Sequence, residues 1–366
     1  MEKYFAAANS AGGFVSWFDD IFAPEKFDRV CLIKGGSGTG KSTLMKTIAA
    51  CAAEKSFTCE YFYCSSDPDS LDGIILKSDF CRGIAVVDAT APHTRDPKLP
   101  GAVEEIVNLG EFWDAAQLRA ARDEISHLIR AKSELFSQSY EYLFAAGEIS
   151  KMLRSDAARF INAPKLKAAS DRLIAQRIRA SRRHAENQKS QDLRGFSDSG
   201  AISIRGVSAI STKGIAHFDS FRECDFLCAV EDVMSTADFM FDALIASAAR
   251  AGLEIVRAPS PLEPDCTEAI RLPELGMSIV MSEGDESDNV KRLNMERFID
   301  RGAISQDDKL RRRLLSKCKS ELIDCAITKL SEVRLLHSQV EEIYIEAMDF
   351  ERLNEFTKKL LIDLIG

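Results

Sequence analysis

Residues 35–43, Gly35-Gly36-Ser37-Gly38-Thr39-Gly40-Lys41-Ser42-Thr43, constrain the fold more than any other stretch of the chain. So dense a run of glycine sustains neither strand nor helix and marks a tight loop. Before it stands "RVCLIK" (29–34), apolar and partly β-branched, which reads as a buried strand. After it stands "LMKTIAACAAEK" (44–55), rich in helix formers. Strand, loop and helix in that order are the context that gives G-x-x-x-x-G-K-[ST] its meaning, here through Gly35, Gly40, Lys41 and Ser42.

Each residue type has a physical role in holding a phosphate. Glycines permit positive φ and bring no Cβ between backbone and anion. Successive N–H groups form a nest at the positive end of a helix. Gly35, Gly36, Ser37, Gly38, Thr39, Gly40, Lys41, Ser42 and Thr43 are therefore the expected nucleotide-binding residues. Lys41 is the point charge for the terminal phosphates, and the Ser42 hydroxyl is an expected Mg²⁺ ligand. The second metal-linked carboxylate is expected at the tip of another strand, and "IAVVD" (84–88) supplies Asp88. Lys41 and Asp88 are the expected catalytic residues. Asp88 is followed by Ala89, so the acid that often sits beside such an Asp is missing.

Another strand, "CEYFYC" (59–64), runs into "SSDPDSLDG". Asp67, Asp69 and Asp72 read there as turn and capping residues, with a ligand-facing loop as the alternative. His93, Arg95 and Lys98 follow Asp88 and read as a solvated loop, although Arg95 or Lys98 could stabilise transferring charge.

The chain also contains a faded copy of itself. Residues 226–270 lie on 30–74 without a gap, strand on strand and helix on helix. Pro264 falls on Pro68, and Asp265 on Asp69. "NMERFID" (294–300) matches "NLGEFWD" (108–114), "KSEL" recurs, and "SAISTKGIAHFD" echoes "AAANSAGGFVSWFD". The second copy replaces the glycine loop with "EDVMSTADF", so Ala237 stands for Lys41 and Asp238 for Ser42. It is expected to bind no nucleotide.

"KGGSGTGKSTLMKTIA", "YCSSDPDSLDG", "VVDATAPH" and "PGAVEEIVNLGEFWD" resemble a little-characterised family of bacterial tandem P-loop ATPase-like proteins. The resemblance implies two P-loop NTPase units, each followed by helices, with Gly35 to Thr43 on ATP phosphates. The lost second loop departs from that pattern.

The expected fold is α/β, a duplicated three-layer αβα P-loop sheet with helical segments. Residues 1–114 form the intact domain, 115–197 a helical segment, 198–302 the degenerate domain and 303–366 a second helical segment. Leu128, Leu135, Tyr142 and Ile149 recur at heptad spacing, which reads as a long helix or hairpin. The Gly/Ser cluster at 194–203 reads as a boundary, and the basic run before it as a solvated face. A formal net charge of -9 argues against a nucleic-acid partner. No run of 18 apolar residues exists, the start lacks the pattern of a secretory signal, and a cytoplasmic protein is expected. The ten cysteines form no C-x-x-C pair and read as buried reduced thiols. ATP and Mg²⁺ are the expected ligands. The function read here is slow ATP hydrolysis coupled to helix movement, with a small-molecule kinase or a nucleotide-gated interaction module as alternatives. A homodimer through the helices and an unidentified protein or small-molecule partner are further expectations. The absence of N-K-x-D favours ATP over GTP.

Overall fold

The computed structural model describes residues 2–188, 201–284 and 289–366. The boundary read at 194–203 and the end of the basic run before it fall largely outside the described residues. In chain order come β1 (Glu2–Phe5), β2 (Ala7–Ser10), β3 (Gly13–Ser16), α1 (Phe18–Ile21), β4 (Arg29–Lys34) and α2 (Lys41–Glu54). β5 (Thr58–Tyr63), β6 (Leu71–Ser78), β7 (Cys81–Asp88) and β8 (Glu104–Asn108) follow. Then come α3 (Ala115–Ala120), α4 (Arg122–Ala158) and α5 (Ala163–Gln188). The later strands are β9 (Ile202–Ile204), β10 (Ser208–Ser211), β11 (Gly214–His217) and β12 (Phe226–Glu231). α6 (Ala237–Arg250), β13 (Ile255–Pro259), β14 (Thr267–Leu272), β15 (Met277–Met281) and β16 (Lys291–Asn294) lead to α7 (Gln306–Ala347) and α8 (Phe350–Ile365).

The protein is mixed α/β and divides into two compact units. Unit 1 holds residues 1–142, 208–217 and 324–366; unit 2 holds 143–207 and 218–323. Each contains one six-stranded mixed sheet.

In unit 1 the strand order is β1-β5-β6-β7-β4-β8. β1 pairs with β5, β7 with β4 and β4 with β8 in parallel, while β6 runs against both its neighbours. Five strands therefore end on one edge, and irregular segments follow them there. β4 is fully buried from Val30 to Ile33, as an unbroken apolar run between two layers requires. One face is covered by α2 and α8: Leu44, Met45 and Ile48 share a core with Leu353, Leu360 and Leu364. On the strands Phe22 meets Phe62 edge-on, 5.1 Å between centroids. A Cβ on Gly73 would lie 2.5 Å from the Phe22 ring, so glycine there lets the ring reach the sheet.

In unit 2 the order, read from the other end, is β9-β13-β14-β15-β12-β16. It repeats the first sheet strand for strand, including the single reversed strand, β14. α6 covers it as α2 covers the first, with Met240, Phe241 and Leu244 against Leu166, Leu173 and Ile174 of α5.

The matched heptapeptides do the same work in both units. Asn108 and Asn294 each cap a short 3-10 turn, and Asp114 and Asp300 each accept the next turn's N–H groups. In unit 1 Asp114 N donates to Ala347 O (2.8 Å) and Asp349 N to Phe112 O (2.7 Å). In unit 2 Asp300 N donates to Phe160 O (2.9 Å) and Asn162 N to Phe298 O (2.8 Å). Of the long helix or hairpin read over this stretch, two helices form, α4 and α5, separated at Asn162, whose Oδ1 accepts from Lys165 N at the start of α5.

The β2–β3 and β10–β11 hairpins both belong to unit 1. Asn9 Nδ2 donates to Ile210 O (2.8 Å), and Thr212 N to Ser66 O (3.0 Å). Lys213 forms ion pairs with Asp67 and Asp69. All ten cysteines are free, but only Cys31 and Cys228 are buried; the expectation of buried thiols fails for the others because most lie at strand ends and helix faces. No helix among the described residues is long and apolar enough to cross a membrane.

Phe241 is 0% exposed in the unit 2 core, whereas Phe80 is 95% exposed in the turn between β6 and β7. Phe241→Ala should cost about 3–5 kcal/mol of unfolding free energy, and Phe80→Ala less than about 0.5 kcal/mol. Urea titration followed by circular dichroism tests the difference; equal losses would contradict the packing.

Candidate functional site

β4 delivers the glycine loop to the carboxyl edge of the first sheet, and α2 begins at Lys41. Gly38 and Gly40 have φ of 73° and 87°, a conformation that side chains with a Cβ resist. Space imposes a second demand. A Cβ on Gly36 would lie 2.7 Å from the Tyr344 ring, and one on Gly38 2.7 Å from the Glu341 carbonyl oxygen. One on Gly40 would approach Leu353 to 3.2 Å. The ends of α7 and α8 thus lie against the loop, so close helix packing requires glycine as much as a ligand would.

Gly35 exchanges hydrogen bonds with Thr90, its N–H reaching Thr90 Oγ1 at 3.2 Å and its carbonyl accepting from that hydroxyl at 2.9 Å. Thr39 Oγ1 donates to Gly36 O at 2.9 Å, closing the loop on itself. Among the described residues, the backbone N–H groups of Gly36, Ser37, Gly38 and Gly40 donate no backbone hydrogen bond, while residues 37–38 form a turn that closes on Gly36. Half-buried N–H groups without a protein acceptor at a helix start form an electropositive cradle.

Lys41 Nζ donates to Gly35 O (2.8 Å) and Gly36 O (2.7 Å) and lies 3.6 Å from Asp88 Oδ2. Ser42 Oγ accepts from Leu71 N at 3.0 Å, and Thr43 is exposed on the first turn of α2. Asp88 ends β7, directly beside β4, with Ile33 its cross-strand partner. Its Oδ1 accepts from Thr90 N at 2.8 Å. Burial pushes the Asp88 carboxyl above the usual range; the Lys41 ammonium pulls it back, and Asp72 adds to the rise. Lys41, Ser42, Asp72, Asp88, His93 and Glu341 line one cavity of ≈ 440 Å³.

Asp72 is not a turn residue but the buried second residue of β6, whereas Asp67 and Asp69 do lie in the loop. His93 and Arg95 are buried rather than solvated. His93 Nε2 lies 3.0 Å from Asp72 Oδ2, and its ring stacks on Phe18 at 4.3 Å. Burial alone would lower the His93 pKa, but the Asp72 carboxylate outweighs it and the net shift is upward. Arg95 faces Glu104, which is 1% exposed, at 3.4 Å, so its charge is committed to structure. Lys98 is exposed, as read.

Cys64 and Glu341 also line the cavity and were not singled out as site residues. Cys64 follows β5 on the same sheet edge as the loop, the strand-end logic that picked Asp88. Glu341 carried no such signal, because its place depends on a helix almost 300 residues away in sequence.

The corresponding loop of unit 2 is satisfied by its own acid. Asp232 Oδ1 accepts from Thr236 N (2.7 Å) and Ala237 N (2.9 Å) at the start of α6. Asp238 pairs with Arg154 at 3.4 Å. Ser282 N donates to Val230 O just as Ala89 N donates to Ile33 O, which places Met281 where unit 1 has Asp88.

Residues 12–80 match the family model described as Nephrocystin 3, N-terminal. The matched stretch includes the glycine loop and α2 but ends before Asp88, and it is well short of half the chain. No curated protein and no solved structure matches the chain.

Removing Arg95 would leave the Glu104 carboxylate buried with only the backbone N–H groups of Lys98 and Leu99. Arg95→Ala should therefore destabilise the protein by about 3 kcal/mol, the loss expected from breaking a buried pair. A denaturant midpoint equal to wild type would show that the pair is dispensable.

Proposed function

We propose that the protein is an ATP-binding P-loop NTPase with one working site, in unit 1. The observation that carries this reading is the glycine loop at the start of α2, where the N–H groups of Gly36, Ser37, Gly38 and Gly40 donate no backbone hydrogen bond, with Lys41 and Asp88 beside it. That donor set suits a polyphosphate, whose oxygens need many aligned donors and one mobile cation. Lys41 would exchange its two loop carbonyls for oxygens of the terminal phosphates. Ser42 and Asp88 are the residues that would hold Mg²⁺, which supplies charge neutralisation when bound. The partly raised Asp88 pKa suits a carboxylate that gains a cation partner, since a buried charge is costly until it is paired. Because α7 and α8 furnish part of the cavity wall through Glu341 and Phe350, filling the cavity would act on both helices.

The matching strand orders support a duplication, and Asp232 explains why the second copy would be silent. Its carboxylate already holds the helix N-terminus where a phosphate would sit. The missing acid after Asp88 supports slow turnover.

One observation favours a kinase as the second reading. A cavity of ≈ 550 Å³ shares Ser37, Cys64, Asp67 and His93 with the first and adds Phe136 and Tyr140. Its size and aromatic lining suit a small organic acceptor.

Lys41→Ala should weaken Mg-ATP binding at least tenfold by calorimetry, about 1.4 kcal/mol or more. Unchanged affinity would remove Lys41 from the site. Asp88→Asn should weaken binding in Mg²⁺ more than in its absence. With γ-labelled ATP, label released as inorganic phosphate supports the hydrolase, and label on an organic acceptor supports the kinase.

A further inference from the structure

Cys64, Asp72 and His93 bring three metal-ligating atoms within 4.8 Å of one another. They come from three different segments: the residue after β5, the second residue of β6, and the loop after β7. Asp72 and His93 are each more than nine-tenths buried. His93 Nε2 lies only 3.0 Å from Asp72 Oδ2, yet that oxygen has no hydrogen-bond partner among the described residues, and neither has His93 Nδ1.

With His93 protonated the two form an ion pair; with His93 neutral the same two atoms can instead face one cation. Ligands of one tetrahedral ion with bonds of about 2.0–2.3 Å stand roughly 3–4 Å apart, so the trio is within a small side-chain rotation of a ligand set. The ring is held in place by the Phe18 stack.

We propose that Cys64, Asp72 and His93 form a site for a zinc-class divalent cation. A thiolate, an imidazole and a carboxylate together select a borderline-soft ion over Mg²⁺, which prefers oxygen alone. All three residues line the cavity that also contains Lys41, Ser42 and Asp88. The fourth position therefore faces that cavity, the arrangement of three protein ligands and one open place found in catalytic rather than structural zinc sites. Binding deprotonates the Cys64 thiol and releases a proton.

The second unit argues that the trio is not part of the fold's basic framework. Ser260 N bonds to Cys266 O as Cys64 N bonds to Ser70 O, which places Ser260 where unit 1 has Cys64. Glu268 stands at the second position of β14, where β6 has Asp72. The sheet forms with other residues at both places. The proposal does not depend on nucleotide binding.

The full-length protein, stripped with a chelator, is titrated with Zn²⁺ against a chromophoric competitor. One equivalent should bind, and Cys64→Ser and His93→Ala should each weaken it at least tenfold. Cys325→Ser, at an exposed thiol, should leave it unchanged. Co²⁺ added to the unmodified protein should give a thiolate-to-metal charge-transfer band that Cys64→Ser abolishes. Less than one equivalent, undiminished binding in Cys64→Ser, or no charge-transfer band overturns the proposal. If a variant fails to fold by circular dichroism, the Co²⁺ spectrum of the unmodified protein still decides. Mg-ATP affinity, measured separately on the stripped protein, tests the nucleotide reading alone.

Discussion

The parallel pairing of β4 with β7 is the constraint on which the rest of unit 1 depends. Register fixes Ile33 opposite Asp88, so the loop after one strand and the carboxylate ending the other must lie side by side. Lys41 can then reach both the loop carbonyls and Asp88, and Thr90 can tie itself to Gly35. A slip of one residue would turn Asp88 to the other face of the sheet. The apolar run of each strand opposes such a slip, because every position from Val30 to Ile33 and from Ile84 to Val87 is buried. The chemistry at the edge is thus held by hydrophobic burial in the middle.

Local pattern made part of this legible in the sequence. β4 and α2 coincide with the stretches that "RVCLIK" and the Ala/Leu-rich run suggest, and β7 ends at Asp88 as its apolar run implies. Those segments carry their own periodicity and their own stop signals. Asp72 and His93 were misread because turn propensity describes the neighbours in sequence, while their burial comes from Phe18 and the β6 strand. Pro68 and Gly73 around Asp72 pointed to a turn; long-range pairing with β5 and β7 overrode it. The docking of the second hairpin on Asn9 and Ser66 had no local signature at all.

The comparison of the two loops shows how little backbone change separates a cradle from a closed cap. Each helix follows the equivalent strand, but six residues (35–40) separate β4 from α2 and five (232–236) separate β12 from α6, so the gapless match read from sequence is one residue out across the loop. In unit 2 one aspartate accepts from Thr236 N and Ala237 N, whereas the glycine loop of unit 1 offers no side-chain carboxylate at that place. An internal carboxylate competes with an external anion for the same donors at a high effective concentration. Asp232 thus stabilises the start of its helix from within the chain.

The helices that complete each unit come from the far side of the other sheet in the chain. α8 follows the second sheet but closes the core over α2, and α5 follows the first sheet but closes the core over α6. The glycine loop shares this dependence, since Gly36, Gly38 and Gly40 fit against residues 341–353. A ribosome making this protein has thus long released the glycine loop before it makes the helices that pack on it. The loop acquires its wall only once residues 341–353 have been made.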